Sequence, residues 1–266
     1  MPLPSPVHIA ALVASAVGAG AMNAMAGGGT ILTFPTLIFL GMPAIRANAT
    51  STVALLPGAA ASMAGFKEEV LSHKGWLKTL FLPSLLGGIL GSVLLLVTPE
   101  KTFAHLAPVL ILAATLLFMA RSALARRFLP QQAGGGDPDP SRLSRGRWIT
   151  AALLQFGVAV YGGYFGAGIG ILMLALLGFL GLQNIHAMNG LKNFFNLCIN
   201  LVAAAYFILR GAVSWPEALV LAVGAVLGGY SGARFSKRIG QDKARAAVIV
   251  IGFLVTAILA WQQLAR

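Results

Sequence analysis

The chain has 266 residues, of which 58% are hydrophobic and only 10% charged, with a mean hydropathy of +0.83. Soluble domains carry about 25% charged residues, so the composition excludes a soluble globular protein and describes an all-α polytopic membrane protein. The net charge of +12 does not point to nucleic acid, because the basic residues are spread among short loops between apolar spans, the positive-inside pattern.

The first apolar run extends from Val7 to Leu40 and is interrupted at Asn23-Ala-Met-Ala-Gly-Gly-Gly-Thr-Ile-Leu-Thr-Phe-Pro35. No Lys or Arg precedes it, so it lacks the charged start of a signal peptide and reads as a mature membrane segment. A single helix over this run would be about 50 Å long, whereas a bilayer core is only ~30 Å thick. Two short helices meeting at Gly27-Gly28-Gly29 fit better, the second starting at the glycines with Thr30 as a capping residue. Such a break at membrane depth survives only where protein or a cavity satisfies the freed backbone groups.

A turn at Gly41-Met-Pro43 follows, then a span from Ala44 to Phe66 that Pro57 and Gly58 are expected to kink. Lys67 to Lys74 reads as a polar loop. Gly75 to Val97 is a span whose Gly87 and Gly91 suit close helix packing. Thr98 to Lys101 is a turn, and Phe103 to Ala120 another span. Arg121 to Arg147 is the long polar segment, a flexible linker by composition.

The second half repeats this order. Trp148 to Leu180 is a second broken run, interrupted at Tyr161-Gly-Gly-Tyr-Phe-Gly-Ala-Gly-Ile-Gly170. Gly181 to Gln183 is a turn, and Ile185 to Leu209 a span. Glu217 to Ala233 is a further span, with Gly224 and Gly228 spaced like Gly87 and Gly91. Arg234 to Arg245 is a basic loop, and Ala246 to Gln262 the last span. Ile31, Leu32, Leu37, Phe39, Leu40, Gly41, Ile45 and Ala47 match Ile171, Leu172, Leu177, Phe179, Leu180, Gly181, Ile185 and Ala187 at a constant offset. Gly27 and Gly29 match Gly166 and Gly168 after a one-residue gap. The organisation expected is a first repeat over 1–121, a cytoplasmic linker over 122–147 and a second repeat over 148–266.

If each broken run re-enters and returns to its own side, three full spans remain per repeat, an odd number, and the two repeats must be inverted. Each is then a broken or re-entrant helix hairpin plus three transmembrane helices. With the linker in the cytoplasm, the basic segments at 67–78 and 234–245 fall on its side and both termini are periplasmic. Only Arg46, Lys101, Arg210 and Arg266 are left outside. Full spanning of the broken runs as helix pairs leaves these side assignments unchanged. Inverted repeats with broken helices near the midplane are a recurring plan of secondary transporters, whose helix N-termini commonly face an anion.

Lys192 lies in Asn189-Gly-Leu-Lys-Asn-Phe-Phe-Asn196, inside an otherwise apolar span, where a lysine is costly and marks a substrate path or an ion pair. The alternative is snorkelling to the cytoplasmic interface. Asn189, Asn193 and Asn196 share one helical face that Lys192 borders, and amides beside a cation suit an oxyanion; interhelical hydrogen bonding is their other use. Asn23 and Asn48 are loose counterparts in the first half. Thr50, Ser51 and Thr52 add hydroxyls or bond back to their own helix. Both glycine runs also serve packing alone, and neither is followed by the Gly-Lys-Ser/Thr of a phosphate-binding loop. Arg46 and His186, at the turns after the two broken runs, are gates or interfacial anchors. No catalytic arrangement such as Ser/His/Asp or HExxH lies in the spans, and the single cysteine, Cys198, allows neither an intrachain disulfide nor a cysteine metal site. No cofactor or metal is expected.

The sequence resembles the TauE/SafE family of sulfite-exporter-like permeases. The resemblance rests on Asn23, Ala26-Gly-Gly-Gly29, Pro35, Gly41-Met-Pro43 and Ala47 in the first half. In the second it rests on Gly162-Gly163-Tyr-Phe-Gly166-Ala-Gly168-Ile-Gly170, Ala187, Asn189-Gly-Leu-Lys192-Asn193, Phe207, Gly211 and Trp215. Ala167 and Ile169 interrupt a motif that is usually richer in glycine. The resemblance implies export of small sulfur-containing anions such as sulfite or organosulfonates across the bacterial inner membrane. On this reading the site comprises Asn23, Gly27, Gly28, Gly29, Thr30, Asn48, Gly166, Gly168, Gly170, Asn189, Lys192, Asn193 and Asn196, and the halves rock between two access states. A non-transporting scaffold or assembly factor and an anion channel are the competing readings. The partners expected are the bilayer and a small anionic substrate, with no nucleic acid; the sequence leaves a homodimer open and names no coupling ion. Replacing Lys192 by Met is expected to abolish anion exchange in proteoliposomes while leaving membrane insertion intact, so full exchange in that variant would remove Lys192 from the site.

Overall fold

The computed structural model describes residues 6–25, 28–64, 66–128, 140, 144–239 and 241–264. Gly27 and most of the 122–147 linker lie outside them. Among the described residues the long elements are all helices: α1 (Pro6–Met25), α2 (Thr30–Phe39), α3 (Ala44–Ala64), α4 (Lys67–Ser72), α5 (Lys74–Val97), α6 (Glu100–Phe128), α7 (Arg145–Tyr164), α8 (Ile169–Phe179), α9 (Ile185–Leu209), α10 (Trp215–Ile239) and α11 (Gln241–Leu264). The stretches Pro6–Asn23, Lys74–Val97, Glu100–Ala120 and Ile185–Leu209 are long and apolar enough to cross a bilayer. Thr30–Phe39 and Ile169–Phe179 are apolar but short, about half a bilayer core at ~1.5 Å per residue. Large apolar side chains such as Leu82, Leu86, Val109, Leu153, Leu219 and Leu227 are exposed on the outside, as a lipid-facing surface requires. The chain is a multi-pass membrane protein.

Both broken runs are broken where the glycines stand, but unequally. The first has arms of 20 and 10 residues, the second of 20 and 11. The longer arm in each has the length of a full crossing, so the expectation of two short helices is corrected to one long and one half-length arm. The short arm α2 turns back along α1. A Cβ placed at Gly18 would lie 3.1 Å from Leu32 Cδ1, and one at Gly29 would lie 2.7 Å from the Ala19 carbonyl oxygen. Both short arms end alike, with Met42 N–H donating to Leu37 O at 3.0 Å and Leu182 N–H to Leu177 O at 3.1 Å, a bond that satisfies an orphan carbonyl at a helix C-terminus.

Two segments read as loops are helical. Lys67–Ser72 forms the short helix α4, and the basic stretch at 234–245 is divided between the end of α10 and the start of α11. Lys and Arg are good helix formers, so charge marks where the chain leaves the apolar layer without marking where the helix stops.

Helix α1 packs most extensively on α10, and α5 on α7. Small residues allow it. A Cβ at Gly20 would lie 2.0 Å from Ala225 O, and one at Gly228 would lie 2.0 Å from Val17 O. At Gly87 it would lie 2.6 Å from Ala159 Cβ, and at Gly91 2.1 Å from Val160 O. Both pairs run parallel: Gly224 meets Val13 and Gly228 meets Val17, as Gly87 meets Phe156 and Gly91 meets Val160. The glycine pairs Gly87/Gly91 and Gly224/Gly228 thus do the packing that their spacing predicts.

Polar contacts sort the helix ends. The Glu100 carboxylate at the start of α6 accepts from Ala44 N–H, and from Ile45 N–H at 3.3 Å, at the start of α3. Thr50 Oγ1 accepts from Ser214 N–H just before α10 at 3.0 Å. At the opposite end, α4 sits on the start of α9, where a Cβ at Gly190 would lie 3.2 Å from Glu69 Cβ. Exposed Lys67, Lys74, Lys78, Arg145 and Arg147 share this second end, while Arg46, Lys101 and Arg210 occupy the first. Pro108 has no N–H for the Ala104 carbonyl one turn earlier in α6, and Gln263 Nε2 of α11 donates to it instead at 2.7 Å.

Gly228→Ala should lower the thermal midpoint of the detergent-solubilised protein, with an overpacking cost of about 1–3 kcal/mol. Gly157→Ala, where a Cβ meets nothing within 4 Å, should leave the midpoint unchanged or raise it. Equal midpoints in the two variants would count against glycine-mediated packing.

Candidate functional site

The two glycine breaks meet at the centre of the protein. A Cβ at Gly28 would lie 3.5 Å from Gly168 N. Gly28 has φ +106°, and Gly168, which precedes α8, has φ +76°, a left-handed backbone that side-chain-bearing residues resist. Aromatic rings pin the second break to the first hairpin. Phe165 packs edge-on to Phe34 of α2, with centroids 5.3 Å apart, and Phe103 of α6 packs on Tyr164 at 5.6 Å.

Side chains reach backbone groups at both breaks. Asn23 Oδ1 in α1 accepts from Gly29 N–H at 2.8 Å. Thr30 is the first residue of α2 rather than its cap, and no side-chain cap bond is made there by Gly29; Asn23, from across the hairpin, does that work. Tyr161 Oη donates to Ala167 O at 2.6 Å. Asn48 Nδ2 in α3 donates at 3.0 Å to Tyr164 O, the last carbonyl of α7. Asn48 is 1% exposed, and its Oδ1 has no hydrogen-bond partner.

A pocket opens beside the two breaks. Asn23, Gly28 and Thr30 line it from the first break, Gly166 and Ile169 from the second. Asn196 and Asn200 of α9 form one part of its wall, and Thr52, Leu55, Leu56 and Ala59 of α3 another. Asn200 Nδ2 donates at 2.8 Å to Asn196 Oδ1 and at 2.8 Å to Asn196 O. Both short helices therefore begin at the pocket, which receives the partial positive charge of two helix N-termini. Asn196 and Asn200 stand near the middle of α9, at mid-depth of a crossing helix.

The other expected residues fall around this pocket. Gly29 lies behind its rim, its N–H held by Asn23. Gly168 and Gly170 belong to the start of α8 and are not part of the lining. Asn48 ties α3 to α7, one turn from Thr52. Asn189, Lys192 and Asn193 lie on α9 between its start and Asn196, outside the lining. Lys192 is 7% exposed, and its Nζ donates to Asn189 Oδ1 at 3.1 Å, which directs the side chain toward the start of α9. Of the three hydroxyls after Asn48, Thr52 bonds back to Asn48 O at 2.9 Å. Ser51 pairs with Thr33 of α2 at 2.6 Å, and Thr50 receives Ser214 N–H.

Asn200 was not among the residues expected at the site. It continues the Asn189, Asn193, Asn196 face by one more turn, so the helical spacing that groups those three also reaches Asn200. Leu55, Leu56 and Ala59 carry no such signal, because apolar residues are ordinary in a membrane helix.

Residues 12–259 match the profile of the family described as Sulfite exporter TauE/SafE. A Haemophilus influenzae protein named "Probable membrane transporter protein" is 30% identical over 251 residues, covering 91% of this chain and 90% of that protein. The Escherichia coli K12 "Probable membrane transporter protein YfcA" is 26% identical over 260 residues, covering 96% and 90%. "Probable membrane transporter protein ORF9" of a Sinorhizobium species is 24% identical over 245 residues, covering 91% and 88%. With a buried polar pocket where two half-length helices begin, and a family match over nearly its whole length, this chain belongs to the TauE/SafE sulfite exporter family.

Proposed function

We propose that the protein is a secondary transporter of small sulfur-containing anions, sulfite or organosulfonates, working by alternating access in the bacterial inner membrane. The observation that carries this reading is the convergence of α2 and α8 on one pocket lined by Asn23, Thr30, Asn196 and Asn200. Both half-helices begin beside the pocket and turn their positive dipole ends toward it, and amides around it supply neutral donors to an oxyanion. Lys192, one helical turn from Asn196, is the cation next along α9 toward the end where α4 packs, and it receives or releases the anion there.

The two halves act as inverted repeats. Support comes from reciprocal packing: the long arm of each half lies parallel to the helix at the equivalent place in the other, α1 on α10 and α5 on α7. The exposed basic residues gathered at one end support placing that end in the cytoplasm and the N-terminus in the periplasm. Rocking of one half against the other would open the pocket to alternate sides, with α3 and α9 as its moving walls.

Counterflow of labelled sulfite in proteoliposomes, with organosulfonates and carboxylates as competitors, tests the proposal. Saturable exchange is expected. Asn196→Leu with Asn200→Leu should reduce it at least tenfold, a loss of about 1.4 kcal/mol or more, with an unchanged thermal midpoint. Absence of exchange with every labelled anion, from folded protein, would favour a scaffold, and current without counterflow would favour a channel.

A further inference from the structure

The pocket has two unlike walls. On α9 the lining residues are Asn196 and Asn200; on α3 they are Leu55, Leu56 and Ala59, with Thr52 one turn away. Leu56 and Asn196 stand at the offset that relates Ile31 to Ile171 and Ala47 to Ala187. They hold equivalent places in the two halves, and both line the pocket. The duplicated framework thus presents an amide from one half and a hydrocarbon from the other. Thr52 does not add a free hydroxyl donor to the α3 wall, because it donates to Asn48 O at 2.9 Å. Among the described residues no lining side chain is charged.

A bare oxyanion is polar on every side, and burying one face of it against leucine removes water from that face without replacing it. An oxyanion that carries a hydrocarbon group matches both walls. Its head takes the Asn23 and Asn196 amides and the helix N-termini, and its tail takes the leucines. The charge it buries is single, which suits a lining of neutral donors better than a dianion, whose desolvation cost is larger.

We infer that Leu56, supported by Leu55 and Ala59, is the specificity-determining residue of the pocket, and that it selects singly charged oxyanions bearing a short alkyl group over inorganic oxyanions. This rests on the proposal that the pocket binds the transported anion. Each methylene buried against α3 should strengthen binding about fourfold until the wall is covered.

The test uses the full chain in proteoliposomes and in detergent. Counterflow is measured with labelled ethanesulfonate and labelled sulfite, with methanesulfonate, propanesulfonate and propionate as competitors. The thermal midpoint is followed with the same anions as a readout of binding independent of transport. The wild type should prefer ethanesulfonate to sulfite by about sixteenfold, the product of two buried carbons at about fourfold each. Competition and thermal shift should both rise from methanesulfonate to propanesulfonate, and propionate should compete if the head is read only as an oxyanion. Leu56→Asn should bring the preference to within about twofold, and Leu56→Met, which keeps an apolar side chain of similar volume, should retain it. Saturable sulfite exchange with no chain-length trend, or an unchanged ratio in folded Leu56→Asn, would overturn the inference and leave the carrier reading standing. Neither exchange nor a thermal shift with any of these anions would overturn both.

Discussion

A backbone N–H or C=O left unpaired in the apolar layer of a membrane costs several kcal/mol, and the protein is arranged around two places where the helical ladder is broken. At the first, Asn23 reaches across the hairpin to Gly29. At the second, Asn48 takes the last carbonyl of α7 and Tyr161 takes the carbonyl of Ala167. These are contacts over the break itself, and one of them joins the two halves. Without them the short helices α2 and α8 would have to lengthen into their neighbours or leave the interior. The same rule operates at Pro108, where a glutamine from another helix meets the carbonyl that proline leaves open.

Satisfying the breaks brings the halves together, and glycine packing holds them there. In lipid no hydrophobic force drives one helix onto another, so close backbone approach has to supply the attraction. Gly20 and Gly228 bring α1 and α10 to within backbone contact, and Gly87 and Gly91 do so for α5 and α7. Each pair takes one helix from each half, so neither half has its long arm packed unless the other is present. The aromatic contact between Phe34 and Phe165 ties the short arm of one half to the break of the other. The pocket therefore belongs to the junction of the two halves, where a relative movement would change its shape.

The pocket's lining is chemically uneven. Two short helices begin at one centre, but the side chains that line it differ between α9 and α3. Asn196 and Asn200 of α9 line it together with Leu55, Leu56 and Ala59 of α3, and Lys192 stands further along α9, toward its start. On the proposed function, such a lining would hold an anion by its polar side and leave its remaining surface to be sorted by shape and hydrophobicity. Membership of the TauE/SafE family and the pocket's neutral donors fit one another on these terms.

Much of this was legible in the residues. Apolar runs too long for one crossing, interrupted by glycines, specified two broken helices, because the bilayer thickness is a fixed ruler and glycine a poor helix former. Basic residues marked the helix ends of one side, and small-residue spacing marked the packing faces of α5 and α10. The helical face of Asn189, Asn193 and Asn196 pointed at the pocket wall. The tertiary structure alone decided which of those polar groups serve the pocket and which serve the fold. Asn23 and Asn48 have the same amide, and both are spent on backbone groups, yet only Asn23 also lines the pocket, since α2 folds back past it while Asn48 is enclosed between α3 and the end of α7. Lys192 borders the asparagine face in sequence, yet its ammonium lies toward the start of α9 with Asn189. The apolar wall of α3 could not be read in advance, because in a membrane helix a leucine facing a ligand and a leucine facing lipid are the same letter, and only packing separates them.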